Sequence, residues 1–444
     1  ALPADEIAAK IRQLARDFTD KRPSLAVGGG SAAAHTNGLF NLMAIYSLNY
    51  LAGSVGKQGG ILFNPPPALS DIRIGRPTVS FTQLQRLVSE MRQGRVQVLM
   101  VRGADPWYGL PDSTGFKDAI FDVPFVFSFS GMMDETTAMA DMVLPEHNHL
   151  EDWGSDSPDP GPGYEMLGFQ QPVVTPLLET RGVHLGTKGF ADVLLTVAQG
   201  LDLDLELPGE NFKDILQDGA RRLFEMDRGS VKAADFRSFW NGVLQRGGWW
   251  DTSARATGPA PSPPELPQAE EPNYFPQDTD RYPFHLMPFA STSLGDGRGA
   301  PLPWLQATPD PITTATWRTW VEISIQTAEE LDLKEGDVVK VSSPQGAIEA
   351  LAFPHPAVPP GSVSIPIGQG HSAGGRYAQG RGANVLSILA PLSDNTTGAL
   401  AWAATRVSIE KTGRWMRLPK FENAVSELPV DEEGEIIQIT SRDS

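Results

Sequence analysis

The chain has 444 residues, 40% of them hydrophobic and 8% aromatic, enough apolar material for two or three packed domains and too much for global disorder. Its formal charge of −18 disfavours nucleic acid as a partner, because phosphate binding concentrates Lys and Arg. Without a cysteine, the chain itself can form no disulfide, thiolate zinc site, cysteine nucleophile or cysteine-ligated iron–sulfur cluster.

The apolar positions Ile7, Ile11, Leu14 and Phe18 recur at helical spacing and predict an amphipathic helix from Ala4 to Asp20 without the features of a signal peptide. Ser24 to Val27 reads as a short strand running into Gly28, Gly29 and Gly30, and a long helix is expected from Asn37 to Leu51. The longest apolar run, Leu39 to Val55, is interrupted by Asn41, Ser47, Asn49 and Gly53, so it does not read as a membrane span. Arg95 to Arg102 predicts a buried parallel strand that ends at Gly103, Ala104, Asp105 and Pro106. Pro124 to Phe129 predicts a third strand, followed by a helical turn around Glu135 to Met139 and by Met142 to Pro145. Strand, loop and helix alternate, which predicts a Rossmann-like α/β parallel-sheet domain over residues 1–200.

Residues 201–280 read as a helical segment, Phe212 to Phe239, and a Pro-rich linker, Gly258 to Pro276. Beyond Tyr282 the pattern changes to short β runs divided by Gly and Pro, clearest at Trp320 to Ile325, Asp337 to Ser342, Ala347 to Phe353 and Ser362 to Ile367. A short helix, Gln326 to Leu331, stands among them. This texture predicts a β-barrel over residues 281–425, with 426–444 as an acidic tail or a link to a following domain.

The densest chemistry lies between Ser364 and Leu389. There Gly368, Gly370, Gly374, Gly375, Gly380 and Gly382 surround His371, Arg376, Tyr377 and Arg381, and Asn384 closes the loop. Glycine allows close backbone approach and positive φ, and the interleaved donors suit an anionic or heteroaromatic group. In an open parallel sheet, ligands sit beyond the carboxyl ends of the strands, where Gly28–Asn37, Gly103–Tyr108 and Ser128–Glu135 fall. His147 and His149, beside Glu146, Glu151 and Asp152, offer metal or acid–base groups. Their spacing matches no closed metal site, and the stretch reads better as a surface turn. Asp156 to Gly163 lacks the alternating ligands of a calcium loop and reads as a rigid turn. No nucleophile elbow, Walker loop or HExxH is present, so no catalytic residue and no metal ligand is assigned.

Several segments together resemble the molybdopterin oxidoreductase superfamily, the relatives of dimethyl sulfoxide reductase and polysulfide reductase. They are the Gly-rich turn Gly28–Gly38, the pair Gly59-Gly60, the turn Gly103-Ala104-Asp105-Pro106, Glu135 to Pro145, Leu150 to Gly154, the barrel-like stretch from Pro303 and the loop from Gly375 to Val385. The resemblance covers nearly the whole chain apart from about 200–280. It implies that the C-terminal barrel is six-stranded, of the double-psi type that binds a dinucleotide. The family's metal ligand and iron–sulfur cysteines belong to an N-terminal half that this sequence does not match, so the chain is expected to be a fragment or a split subunit. Where the family often has an acidic residue for the guanine edge, this chain has Ser130, whose single hydroxyl recognises guanine less well.

Within the family the chain looks closest to the ActB-type subunits of alternative complex III, a quinol-oxidising membrane complex. That resemblance implies a structural role with no cofactor in this chain, on the periplasmic face of the bacterial inner membrane. The implied partners are an adjacent iron–sulfur domain or subunit carrying the clusters, a multihaem cytochrome and integral membrane quinol-binding subunits. The alternative is half of an active molybdenum bis-pterin-dinucleotide enzyme, such as a polysulfide or thiosulfate reductase. If molybdopterin guanine dinucleotide is bound, the expected contacts are Gly103, Asp105, Glu135, His371, Arg376, Tyr377 and Asn384.

Overall fold

The computed structural model describes residues 3–69, 78–158, 161–177, 179–203, 205, 207–255, 265–266 and 268–421. In chain order the first part runs α1 (Ala4–Asp20), α2 (Gly38–Leu51), α3 (Phe81–Arg92), β1 (Val98–Arg102), α4 (Pro106–Gly109), α5 (Phe116–Ala119), β2 (Phe125–Phe129), α6 (Glu135–Ala138) and β3 (Met142–Val143). Next come β4 (Gly154–Asp156), β5 (Tyr164–Gln170), α7 (Phe190–Gly200), α8 (Phe212–Glu225), α9 (Phe236–Arg246) and β6 (Gly248–Arg255). The last part holds β7 (Phe284–Ala290), α10 (Pro303–Ala307), β8 (Trp320–Ile323), α11 (Ile325–Glu330), β9 (Asp337–Ser343), β10 (Gly346–Pro354), β11 (Ser362–Ile367) and β12 (Arg406–Trp415).

β1, β2 and β3 form a parallel sheet in that order, three strands among the described residues. One face is covered by α3 and by residues 116–123, through Val88, Met91, Phe116, Ile120 and Val126. A capping box starts α3: Ser80 Oγ accepts from the Gln83 N–H at 3.2 Å, and Gln83 Oε1 accepts from the Ser80 N–H at 2.7 Å. That cap satisfies end donors the helix cannot satisfy itself and fixes where α3 begins over the sheet.

Two sequence expectations differ here. Ser24 to Val27 is not a strand. Both backbone groups of Ala26 bond to the Asn49 side chain at 2.8 Å, so an amide on α2 takes the place of a neighbouring strand. The helix expected from Phe212 to Phe239 is two helices, because Asp227 at φ 48° and Gly229 at φ 91° turn the chain between them. Trp249 fills the space beside Gly229, where a Cβ would lie 2.4 Å from the indole.

Residues 201–255 do more than connect. α8, α9 and β6 surround Leu216, Leu223, Phe239, Trp240 and Trp249, and β6 pairs with β5 in an antiparallel sheet of order β4–β5–β6. The local pattern did not announce this sheet, because β5 and β6 are far apart in sequence and each is short. Parts of the Pro-rich stretch, residues 256–264 and 267, lie outside the described residues, as do the acidic tail 426–444 and residues 159–160 of the Asp156–Gly163 turn.

The six strands of the last part close into a barrel of order β10–β8–β11–β7–β12–β9. β7 pairs parallel with β11, and β8 pairs parallel with β10; the β11–β8, β12–β7, β12–β9 and β10–β9 pairs are antiparallel. Leu286, Val321, Ile323, Val339, Val363, Ile365 and Val407 fill the interior with no exposed surface. β8 stops at Ile323 instead of Ile325 because Ser324 Oγ accepts from the Thr327 N–H at 3.0 Å and starts α11.

Candidate functional site

The loops at the carboxyl ends of β1 and β2 meet the Gly-rich loop of the barrel. After β1, Gly103 takes φ 64° and turns the chain, and Asp105 caps α4 with Pro106 at its first position. This aims Tyr108 into the barrel loop. Tyr108 is buried and stacks on His371, with ring centroids 3.9 Å apart and planes within 9°. Its hydroxyl accepts from the Gly368 N–H and donates to the Gln369 carbonyl, both at 3.0 Å. Burial pushes the phenol pKa well up, so Tyr108 remains a neutral donor.

After β2, Asp134 caps α6 and Glu135 is its first residue. Glu135 is 4% exposed and faces His371, at 7%. His371 Nδ1 lies 3.1 and 3.0 Å from the two Glu135 oxygens, and the backbone N–H groups of Ser372 and Ala373 donate to Oε1 at 2.7 and 3.3 Å. Burial alone would raise the Glu135 pKa. The bonds from His371 and from Asp105 outweigh it and hold the carboxyl down to about 2.

Asp105 Oδ1 accepts from Thr136 Oγ1 at 2.5 Å and from the Thr136 N–H at 3.1 Å, while Oδ2 is buried with no hydrogen-bond partner. Burial, then the neighbouring Glu135, push the Asp105 pKa up to about 6. The two carboxyls lie close together, so the charge held on Glu135 opposes ionisation of Asp105. Asn384 completes the seam: its amide donates to the Tyr108 carbonyl at 2.8 Å and its oxygen accepts from the Leu386 N–H at 3.0 Å.

The structure therefore brings together Asp105, Glu135, His371 and Asn384, with Gly103 at the turn beneath them. Arg376 and Tyr377 stand apart. Arg376 is exposed, donates to the Tyr377 hydroxyl at 2.7 Å and lies over that ring at 4.7 Å. Sequence reasoning missed Tyr108 and Thr136, although both sit one helical turn or less from residues it selected. It also missed Gly297, where a Cβ would lie 2.7 Å from Tyr108 and 2.9 Å from His371 Nε2. Ser130 bonds its own turn, donating to the Met132 carbonyl at 2.7 Å.

Asp105, Glu135 and His371 are also the one group of three metal-ligand side chains gathered among the described residues, with ligand atoms within 4.8 Å of one another. His147 is engaged elsewhere, 2.9 Å from Thr187 Oγ1. A second concave feature lies at the barrel mouth. It is a small cleft, open to solvent and lined by Asp310, Trp317 and Arg318 over a buried Gln306–Gln369 amide pair. Trp317 takes φ 61°, a strained conformation for a bulky residue.

The fold is thus a parallel sheet whose strand-end loops are locked to a six-stranded barrel by one buried polar seam. Residues 306–401 match the molydopterin dinucleotide binding domain family. The chain is 28% identical over 419 residues to the menaquinone reductase molybdopterin-binding-like subunit of Nitratidesulfovibrio vulgaris, covering 88% of this chain and 53% of that protein. It is 23% identical to the molybdopterin-containing subunit of the arsenate respiratory reductase of Shewanella sp., covering 90% of this chain and 58% of that one. The solved acetylene hydratase from Pelobacter acetylenicus has the same fold at 16% identity, with a TM-score of 0.62 over 91% of this chain and 63% of its own. The chain belongs to the molybdopterin oxidoreductase superfamily and corresponds to its C-terminal portion. It spans little more than half the length of these curated relatives.

Most polar atoms of the seam are already engaged within this chain, Asp105 Oδ2 and His371 Nε2 excepted. Both Glu135 oxygens and the Asn384 amide and oxygen already hold partners within this chain. The unpartnered His371 Nε2 faces Gly297, with too little room even for a Cβ.

Proposed function

We propose that this chain is a structural, molybdopterin-like component of a quinone-linked electron-transfer complex and carries no molybdenum chemistry of its own. The observation that carries this reading is the seam itself: Glu135, Asn384, Tyr108 and His371 Nδ1 already bond across from the sheet to the barrel, although Asp105 Oδ2 and His371 Nε2 stay unpartnered. The name of the Nitratidesulfovibrio relative, a menaquinone reductase subunit described as molybdopterin-binding-like, supports both the quinone link and the structural role. We read the three parallel strands as part of a Rossmann-like layer and the barrel as the double-psi type, a reading supported by its two parallel strand pairs.

In the finer form of this proposal the complex is alternative complex III. The chain then sits at the periplasmic face of the membrane beside an iron–sulfur domain, a multihaem cytochrome and quinol-binding membrane subunits. Among the described residues no helix is long and apolar enough to cross a membrane, which suits a peripheral position. A scaffold serves quinol oxidation and quinone reduction alike, so the direction of turnover does not alter the role.

The second reading, half of a molybdenum bis-pterin enzyme, is favoured by one feature, the polar cleft lined by Asp310, Trp317 and Arg318 within and beside the matched barrel region. Metal and pterin analysis of the intact native complex separates the two. The expected outcome is no molybdenum or tungsten and no released pterin. One metal per chain with released pterin would overturn the scaffold reading. In the same preparation Asn384→Ala should cost about 1–3 kcal/mol of stability, the worth of two lost hydrogen bonds, and leave pterin content at the wild-type level.

A further inference from the structure

A second joint, separate from the Glu135–His371 seam, ties the barrel to the first part of the chain. Just before α2, the Ala34 and Thr36 carbonyls accept from the Ala403 and Asn395 N–H groups, both at 2.9 Å. Thr36 Oγ1 accepts from the Asn273 N–H at 2.8 Å. Residues 273–276 then lie along the start of β12. The Phe275 N–H donates to the Ala404 carbonyl at 2.9 Å, and the Phe275 carbonyl accepts from the Arg406 N–H at 2.7 Å. This short strap joins the turn before α2 to the barrel.

Tyr274 of the strap packs on two histidines. Its ring meets His35 of the turn at 5.9 Å and His285 of β7 at 4.4 Å, edge to face in both cases. The Nδ1 atoms of both histidines are buried without a hydrogen-bond partner among the described residues. His285 Nε2 lies 3.2 Å from Arg406 Nη1. A guanidinium is always protonated and only donates, so His285 Nε2 accepts and the ring's one proton sits on Nδ1. Arg406 is pinned, because its Nε and Nη2 donate to the Tyr282 and Pro283 carbonyls, both at 3.0 Å. A second proton on His285 would break its bond to Arg406 and set two cations side by side under the Tyr274 ring, away from water.

The other charged groups around the strap are four. Glu270 accepts from Asn395 at 3.0 Å, and Asp394 accepts from the Leu39 and Thr397 N–H groups at 3.0 and 2.7 Å. Glu271 acts on Tyr274, and Arg281 lies over the Tyr282 ring. Burial first, then Arg406 and His35, push the His285 pKa down, and burial pushes that of His35 down as well.

We propose that the strap is an acid-released latch, in which protonation of His285 and His35 expels Tyr274 and frees residues 273–276 from β12 while the barrel stays closed. A solvated histidine takes up its proton near pH 6.5, and these two do so lower while the latch is shut. The open form therefore binds more protons, and acid favours it. Opening rises by up to about tenfold per pH unit below about 6.5 for each histidine, until the shut form is protonated too. Above that range both rings are neutral in either form and the latch holds. The turn keeps its own bonds to Asn395 and Ala403, so the two parts loosen without separating.

Hydrogen exchange read by mass spectrometry tests this on the protein purified intact from its source, at about pH 7.5 and about pH 5.5, on either side of the ordinary histidine range. After correction for the pH dependence of the chemical step, exchange at the Phe275 and Arg406 N–H groups should rise severalfold in acid. The Leu351 N–H, which donates to the Thr319 carbonyl in the barrel at 3.1 Å, should show no such rise. In His285→Gln, whose side-chain oxygen still accepts from Arg406 but does not titrate, the rise should shrink, and with His35→Gln added it should vanish. A strap no more responsive to acid than Leu351, or a double variant that responds like the wild type, would overturn the proposal. Should the variants fail to accumulate, exchange at the imidazole C2–H of the wild-type protein reads the His285 pKa directly, and a value at or above about 6.5 would overturn it equally.

Discussion

The barrel and the parallel sheet solve the same problem to different degrees. The barrel joins β9 back to β10, leaves no strand edge unpaired and hides its apolar side chains inside. Among the described residues the sheet has three strands, packs one face and leaves Met100 and Val98 exposed. Closure keeps the barrel's apolar side chains inside, whereas Val98, Met100 and Met142 of the sheet stay exposed. The seam of Tyr108, Glu135 and His371 then ties the sheet to the barrel.

The widest gap between the two regions should appear on truncating their side chains. Ile323→Ala, inside the barrel, should cost about 2–5 kcal/mol by chemical denaturation, through lost burial and the cavity left behind. A loss no larger than that of a surface substitution would contradict the packed interior. An intermediate effect is expected at the seam. The raised Asp105 pKa means its stabilising proton is fully present below the ordinary carboxylate range and is lost as pH climbs through about 6. The lowered Glu135 pKa acts in the opposite sense, its contribution fading only as pH falls towards about 2. Asp105→Asn keeps the cap on α4 and removes the titration. Stability of the variant should therefore stop declining between about pH 4 and pH 7, and equal pH slopes in both proteins would exclude the raised Asp105 pKa. The smallest effect belongs to the bare face: Met100→Ala in the 444-residue chain should change stability by about 0.5 kcal/mol or less. A larger loss there would mean that Met100 is already packed.

Much of this was legible in local pattern. Helical spacing marked α1, the apolar run marked β1, and Gly and Pro punctuation marked the barrel. The grouping of Asp105, Glu135, His371 and Asn384 came from family resemblance, and what they do to one another did not follow from it. Glu135 and His371 meet across two structural layers, and no local window contains both. Tyr108 was passed over because an aromatic after a turn is ordinary until its partner is known. Ser24 to Val27 misled because its extended backbone looks like a strand, while the partner is the side chain of Asn49. The bare sheet face was hidden for a related reason: apolar residues in β1 imply burial, and the sequence does not say by what.

The order of strands around the barrel also bears on how the chain reaches its fold. β7, the first barrel strand made, lies between β11 and β12, the last two, with His285 opposite both Ser362 and Arg406. During synthesis β7 must wait, without its neighbours, until nearly the whole barrel has been produced. Its closure is a late, long-range event with a high entropic barrier. A chain that ends before Arg406 leaves β7 and β9 without the partner that closes the barrel, and so keeps two strand edges unpaired.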